Sequence, residues 1–273
     1  MSLLVKATHQ GATIARVTPA SAAWRYVGFE ALRLADGESI ERCFNNAETC
    51  VVVVSGRVTL RTADASEAHI RQWDQLFSRA SPFDDIGPYA LYAPPRTTVH
   101  ATAHGAVELA ICTAPAQGGL PVRLIEPAQL PSTRRGVAAN TRYVRDILPQ
   151  SEPAERLLVV EVRTPSGHSS SYPPHKHDAD TIPAESALEE TYYHRIDPPQ
   201  GFVLQRVYTD ARDLDETMSA EDRDVVIVPR GYHPVIVPYG YESYYLNVMA
   251  GPTRAWHFRN DPAHEWMVRT PPD

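Results

Sequence analysis

Two histidines one residue apart, His175 and His177 in Pro174-His175-Lys176-His177-Asp178, are followed by Glu190 and then by His233 in Pro229-Arg230-Gly231-Tyr232-His233. Three neutral imidazole nitrogens and one carboxylate suit a divalent ion and leave positions open to water or substrate. In a strand, residues i and i+2 point to one face with their Cα atoms about 6.7 Å apart. The spacing predicts two imidazoles converging on one ion, with Glu190 and His233 arriving from neighbouring strands. An open shell points to catalysis rather than to a structural staple. A His-x-His pair alone is more often a surface feature that binds nothing. Here the flanking carboxylate and the third histidine turn the reading toward a metal centre, with zinc first and manganese, iron or nickel as alternatives.

The elements that must position these donors are short and β-rich. Residues 50–54, 57–60, 157–162, 202–208 and 224–228 have strand composition, and 24 prolines keep such runs short. An all-β chain of antiparallel sandwich or barrel type is expected, with modest helices around 213–218 and 185–188. Pro94 and Pro229, like Gly105 and Gly240, lie 135 positions apart. The equal offsets suggest a duplicated β-unit. The two copies are divided as 1–130 and 131–273, with an ordered crossing segment around Tyr143, Val144, Ile147 and Leu148. The copies differ chemically, because the first reads Glu41-Arg42-Cys43-Phe44 and Pro94-Pro95-Arg96-Thr97 where the second carries the ligands. His100 and His104 lack a matching carboxylate and read as surface or capping residues.

A chain of 273 residues with 22% charged and 43% hydrophobic residues has the make-up of a soluble globular protein of two cores. Its net charge of −7 argues against a nucleic-acid partner. Cys43, Cys50 and Cys112 show no C-x-x-C spacing, so reduced, buried thiols are expected rather than a disulfide framework. No run has the length of a membrane span or a signal peptide, and a cytoplasmic location is expected. Exposed strand edges favour a homo-oligomer.

Gly167, His175-x-His177, a downstream glutamate and Pro229-x-Gly231-x-His233 resemble the two motifs of the cupin superfamily, small β-barrels that hold one metal by three histidines and a glutamate. The gap from His177 to the glutamate is longer than in that pattern, and His233 stands one position nearer its glycine. Residues 170–178, 189–195, 198–202, 205–210, 228–234 and 244–251 are similar to the 5-deoxy-glucuronate isomerase family of myo-inositol catabolism, with one local departure at His168-Ser169. The resemblance is densest from Asn140 to Trp266. It implies a two-cupin fold and conversion of a small sugar acid, 5-deoxy-D-glucuronate, to the ketone 2-deoxy-5-keto-D-gluconate.

The residues suit such chemistry independently of the resemblance. Aldose–ketose isomerisation moves a proton between adjacent carbons, and a metal bound to the carbonyl and hydroxyl oxygens would stabilise the developing charge. If Glu190 points inward, alternation brings Tyr192 and His194 to the same face and leaves Glu189 toward solvent. His194, with an ordinary pKa near 6.5, and Tyr192 are then the candidates for proton transfer, although both could be interior packing. A substrate carboxylate calls for a guanidinium. Arg206 is the first choice because it interrupts an apolar strand, followed by Arg230 and Arg142. Tyr232, Tyr244 and Tyr245 could offer hydroxyls to the sugar, or be core. Two other classes share the motif: an iron-dependent dioxygenase and a non-enzymatic sugar-binding or regulatory protein.

Overall fold

The computed structural model of the chain describes residues 2–64 and 69–269. Among these the helical content is small, limited to Pro19–Ala22, Trp266–Arg269 and two 3-10 turns, and the rest of the regular structure is strand. The expected β-runs appear as Ala47–Ser55, Arg57–Ala63, Leu158–Thr164, Phe202–Tyr208 and Val225–Val228. The two expected helices do not form. Asp215–Glu221 is a strand paired to Phe202–Tyr208, and it turns only Met218 and Ala220 inward. Residues 185–188 are loop, held where the Leu188 N–H donates to the His177 carbonyl.

Each half pairs a large sheet with a four-stranded one. In the first half the large sheet runs Arg123–Ile125, Ala90–Ala93, Ala47–Ser55, Val107–Pro115, Gly28–Leu34, Thr13–Val17. It packs on Ser39–Cys43, Thr98–Ala103, Arg57–Ala63 and Arg71–Phe77. Val51, Val53, Leu91, Leu109 and Ile111 meet Val58, Leu60 and Val99 between them. Aliphatic side chains occupy that interior, and among the described residues this half shows no donor cluster of its own. In the second half the large sheet runs Leu4–Val5, Val225–Val228, Glu189–Asp197, Glu242–Ala250, Leu158–Thr164, Arg142–Leu148, Thr133–Arg135. Opposite it lie Ser169–Ser170, Val235–Ile236, Phe202–Tyr208 and Asp215–Glu221. The 135-residue offset recurs in whole strands: 90–93 against 225–228, and 107–115 against 242–250. The N-terminal strand crosses over, Leu4 pairing with Val226 in the sheet of the other half.

The two large sheets share one core, with Phe29 of the first and Tyr193 of the second 5.4 Å apart between ring centres. An ion pair is buried at the same junction. Arg79 reaches Glu161 with both terminal nitrogens, at 2.9 and 2.8 Å, and its Nε donates to the Val54 carbonyl. The Tyr244 hydroxyl donates to the same carboxylate. Removing one partner of such a pair leaves a charge in a medium that cannot solvate it. Arg79→Met is therefore expected to lose about 3–5 kcal/mol of unfolding free energy in urea titrations. A loss below about 1 kcal/mol would show that Arg145, 3.7 Å from Glu161, takes over the charge.

Candidate metal centre

Chain direction and sheet parity bring the donors together. His175 sits on a two-residue strand, His175–Lys176, which pairs with Arg259–Asn260 of the C-terminal segment. His177 follows on the same side, Glu190 lies near the start of Glu189–Asp197, and His233 follows Gly231, whose φ of +88° few other residues adopt. A Cβ at Gly231 would also lie 2.4 Å from the Tyr208 carbonyl oxygen. The ligating atoms of His175, His177 and His233 lie within 4.8 Å of one another. The ring centres of His233 are 4.9 Å from His175 and 5.0 Å from His177. Asp178 fastens the two ligand-bearing segments, accepting from the Gly231 N–H at 2.8 Å and from Lys176 at 3.0 Å.

The ring nitrogens test whether a cation fits. His233 Nδ1 lies 2.9 Å from the Gly231 carbonyl and His177 Nδ1 lies 3.2 Å from the Leu188 carbonyl, so each Nδ1 carries a proton. The Nε2 of His233 then presents a lone pair, and that of His177 is within hydrogen-bonding distance of Glu190. Both face the same carboxylate oxygen of Glu190, at 3.0 Å from His177 and 3.2 Å from His233, and His233 Nε2 has no hydrogen-bond partner. Two ring nitrogens and a carboxylate oxygen gathered at one buried point suit a bound cation, and the carbonyl contacts are the outer-shell orientation expected for histidine ligands.

The electrostatics agree. Burial lowers His175 to about 3, helped by the neighbouring charges of His177 and Arg142, and burial likewise lowers His233 to about 3. Both rings are neutral and ready to ligate at physiological pH. Burial also acts against a charge on His177, but the Glu190 hydrogen bond and negative charge outweigh it and raise its pKa.

His175 and Glu190 line a cavity of about 370 Å³ with Arg142, Val144, Val160, Val162, Tyr192, Tyr245 and Asn247 on its sheet side. Trp256, Phe258 and Val268 of the C-terminal segment form the facing wall, with Phe258 4.7 Å from the His175 ring. Tyr192 shares a hydrogen bond with Ser171 at 2.9 Å, and burial holds its phenol well above its usual range, so it stays protonated. Asn247 could have been found by parity, two positions beyond Tyr245. Nothing in the spacing pointed to Trp256 or Phe258.

Other expected site residues stand elsewhere. Arg206 is on the surface, where Nε and Nη2 each reach Asp215 at 2.7 Å. Arg230 is likewise exposed and paired with Asp213. Neither lines the cavity. Arg142 does, and its Nη1 donates only to the Asn140 carbonyl and side chain and to the Tyr172 carbonyl. Tyr232 donates to Asp210 and Tyr244 to Glu161, both away from the cavity. Glu189 is not a free surface carboxylate, since it accepts the N–H groups of Arg25, Tyr26 and Val27 at 2.7, 2.7 and 3.0 Å. Cys50 and Cys112 are buried free thiols, whereas Cys43 is exposed. His100 and His104 are partly exposed, paired with Glu41 and Thr59.

His194 has the parity of Glu190 and Tyr192 but lies beneath the cavity floor, fully buried, 2.9 Å from Gln205 Oε1. Burial lowers it to about 4. The unfolded chain takes a proton on this ring below about 6.5, which the folded chain refuses until about 4. Its contribution to stability is full above pH 6.5 and is lost as pH falls toward 4, by about 1.4 kcal/mol per unit. His194→Gln should flatten the decline of unfolding free energy across that window, and an unchanged slope would place the acid sensitivity elsewhere.

The family described as KduI/IolB matches residues 3–267. The chain is 47% identical over 273 residues to 5-deoxy-glucuronate isomerase of Geobacillus kaustophilus, covering 99% of this chain and 97% of that protein. It is 51% identical over 253 residues to the enzyme of the same name from Bacillus velezensis, covering 92% and 91%. The crystal structure of an IolB-like protein from Salmonella typhimurium superposes with a TM-score of 0.94 at 47% identity, over 98% of this chain and all of that one (100%). A Lactobacillus farciminis oxalate decarboxylase shares the fold alone, with a TM-score of 0.65 at 12% identity over 98% of this chain and 88% of that one. Among the described residues no helix is long and apolar enough to cross a membrane. Near-half identity carried along almost the whole length, on a matching backbone, places the chain in the KduI/IolB family.

Proposed function

We propose that the protein is a metal-dependent aldose–ketose isomerase converting 5-deoxy-D-glucuronate to 2-deoxy-5-keto-D-gluconate. The observation that carries this reading is the cluster of His175, His177 and His233, with Glu190 within 3.2 Å of two of them and with His175 and Glu190 on the wall of a cavity, in a chain whose relatives are 5-deoxy-glucuronate isomerases. His175, His177, Glu190 and His233 would hold the ion, for which zinc is favoured, with manganese, iron or nickel as alternatives. Such an ion supplies Lewis acidity to a substrate carbonyl.

The chain's own groups account for the remaining tasks. Arg142, whose guanidinium has no carboxylate partner among the described residues, binds the substrate carboxylate in place of Arg206. Tyr192 keeps its proton and, with Ser171, offers a hydroxyl pair beside Glu190 for hydrogen bonding as charge moves between carbonyl and hydroxyl oxygens. Trp256 and Phe258 exclude water from the reacting carbons. The two halves, 1–130 and 131–273, are read as two cupin barrels, of which only the second kept its ligands. The 135-residue offset and the likeness to the oxalate decarboxylase support that reading. Exposed Phe202, Leu204 and Ile236 on one sheet face favour association of copies.

The test is to incubate the metal-quantified protein with 5-deoxy-D-glucuronate in D2O and follow the aldehyde by NMR. Its loss should scale with bound metal and consume no oxygen. Oxygen uptake coupled to substrate loss would support the dioxygenase instead, and an unchanged aldehyde would leave a binding protein.

A further inference from the structure

The sheet side of the cavity is divided: Arg142 is followed at i+2 by Val144, which pairs directly across the strands with Val162. Both valines are buried and carry no hydrogen-bonding side-chain group, and Val162 pairs on its other side with Tyr245. We propose that Val144 and Val162 determine specificity by receiving the substrate's deoxygenated carbon and excluding uronic acids that carry a hydroxyl there.

The argument rests on the reading of the site as a 5-deoxy-uronate isomerase. The carbonyl end of the substrate is placed at His175, His177, Glu190 and His233, and the carboxylate at Arg142. The carbon bonded to the carboxylate is position five, the one that lacks a hydroxyl. Wherever Arg142 holds the carboxylate, that carbon lies one bond away, beside the nearest same-face neighbours of Arg142. Those neighbours are Arg135, directly across and spent on Asp146, and the apolar pair of Val144 along the strand and Val162 diagonally across it. The hydroxyl-bearing carbons between the two ends pass over the Tyr192 and Asn247 side of the floor, where polar groups are available. A hydroxyl forced against the valine pair would lose its water without gaining a partner. Pockets that reject an added hydroxyl by this means alone do so by about a hundredfold.

The experiment compares kcat/KM for 5-deoxy-D-glucuronate and for D-glucuronate, its 5-hydroxy counterpart, in the metal-loaded wild-type protein and in Val162→Thr and Val144→Thr. Threonine keeps the shape of valine and adds the missing partner. The wild type should prefer the deoxy sugar by about tenfold to a hundredfold, and at least one variant should reduce that preference about tenfold while metal content stays unchanged. The thermal midpoint of each variant, read alongside, identifies one that has simply lost its fold, and the other variant then decides. Wild-type turnover of both sugars at similar efficiency, or an unchanged preference in every folded variant, would overturn the assignment of the valine pair. Absence of wild-type turnover on the deoxy sugar would remove the isomerase reading itself, and this inference with it.

Discussion

His175→Ala combined with His177→Ala is expected to yield a folded protein that retains no stoichiometric divalent ion and has lost at least about 10³-fold in kcat/KM. Two of the three nitrogens disappear, and the remaining His233 and Glu190 cannot satisfy a four-donor shell. The fold should survive because the first half has its own aliphatic interior, and the sheets of the second half are held by a core that does not include the ligands. The variant should also lose the stabilisation that excess metal confers on the wild type, since only a native state that binds the ion gains from it. Elemental analysis and thermal unfolding with and without added zinc measure both effects. Full metal occupancy in the double variant would place the ion elsewhere.

Arg142→Met should raise KM at least about thirtyfold, the lower end of the 2–5 kcal/mol associated with a charge-assisted pair whose other member is left buried and alone. Metal content should not change. Arg142→Lys should recover only part of the loss, because lysine restores charge without the planar two-point fork. Arg206→Met and Arg230→Met should stay close to wild type, since each arginine is spent on an exposed aspartate pair. Wild-type kinetics in Arg142→Met, with a raised KM in Arg206→Met, would reverse the assignment.

The different outcomes for these arginines show where strand patterns mislead. Arg206 was conspicuous because a charge interrupts the apolar run 202–208, as though a polar group had been placed in a core. In the structure that strand alternates from 202 to 207, with Val203, Gln205 and Val207 inward and Phe202, Leu204 and Arg206 outward. The exposed phenylalanine and leucine made a half-exposed strand look buried. Arg142 had no pattern to recommend it, because what sets it apart is that its guanidinium has no carboxylate partner among the described residues, a property of the assembled surroundings.

His194 makes the same point through depth. Period-two alternation correctly grouped it with Glu190 and Tyr192, but alternation reports a face and not a position along it, and the cavity opens only over the first two. Glu189 was placed correctly on the other face, yet that face packs on the loop at 25–27 and not on solvent.

The sequence alone determined what local chemistry can encode: a β-rich chain, strands that recur at an offset of 135 residues, and three clustered histidines marked by residue type, strand parity and a glycine turn before His233. These are short-range properties, set by covalent spacing and backbone sterics. Which arginine faces the cavity, how deep a histidine lies and which wall the C-terminal segment supplies were decided only by tertiary structure. Each depends on which strands become neighbours, and that choice reflects burial summed over the whole core, so no single stretch of chain carries its signature.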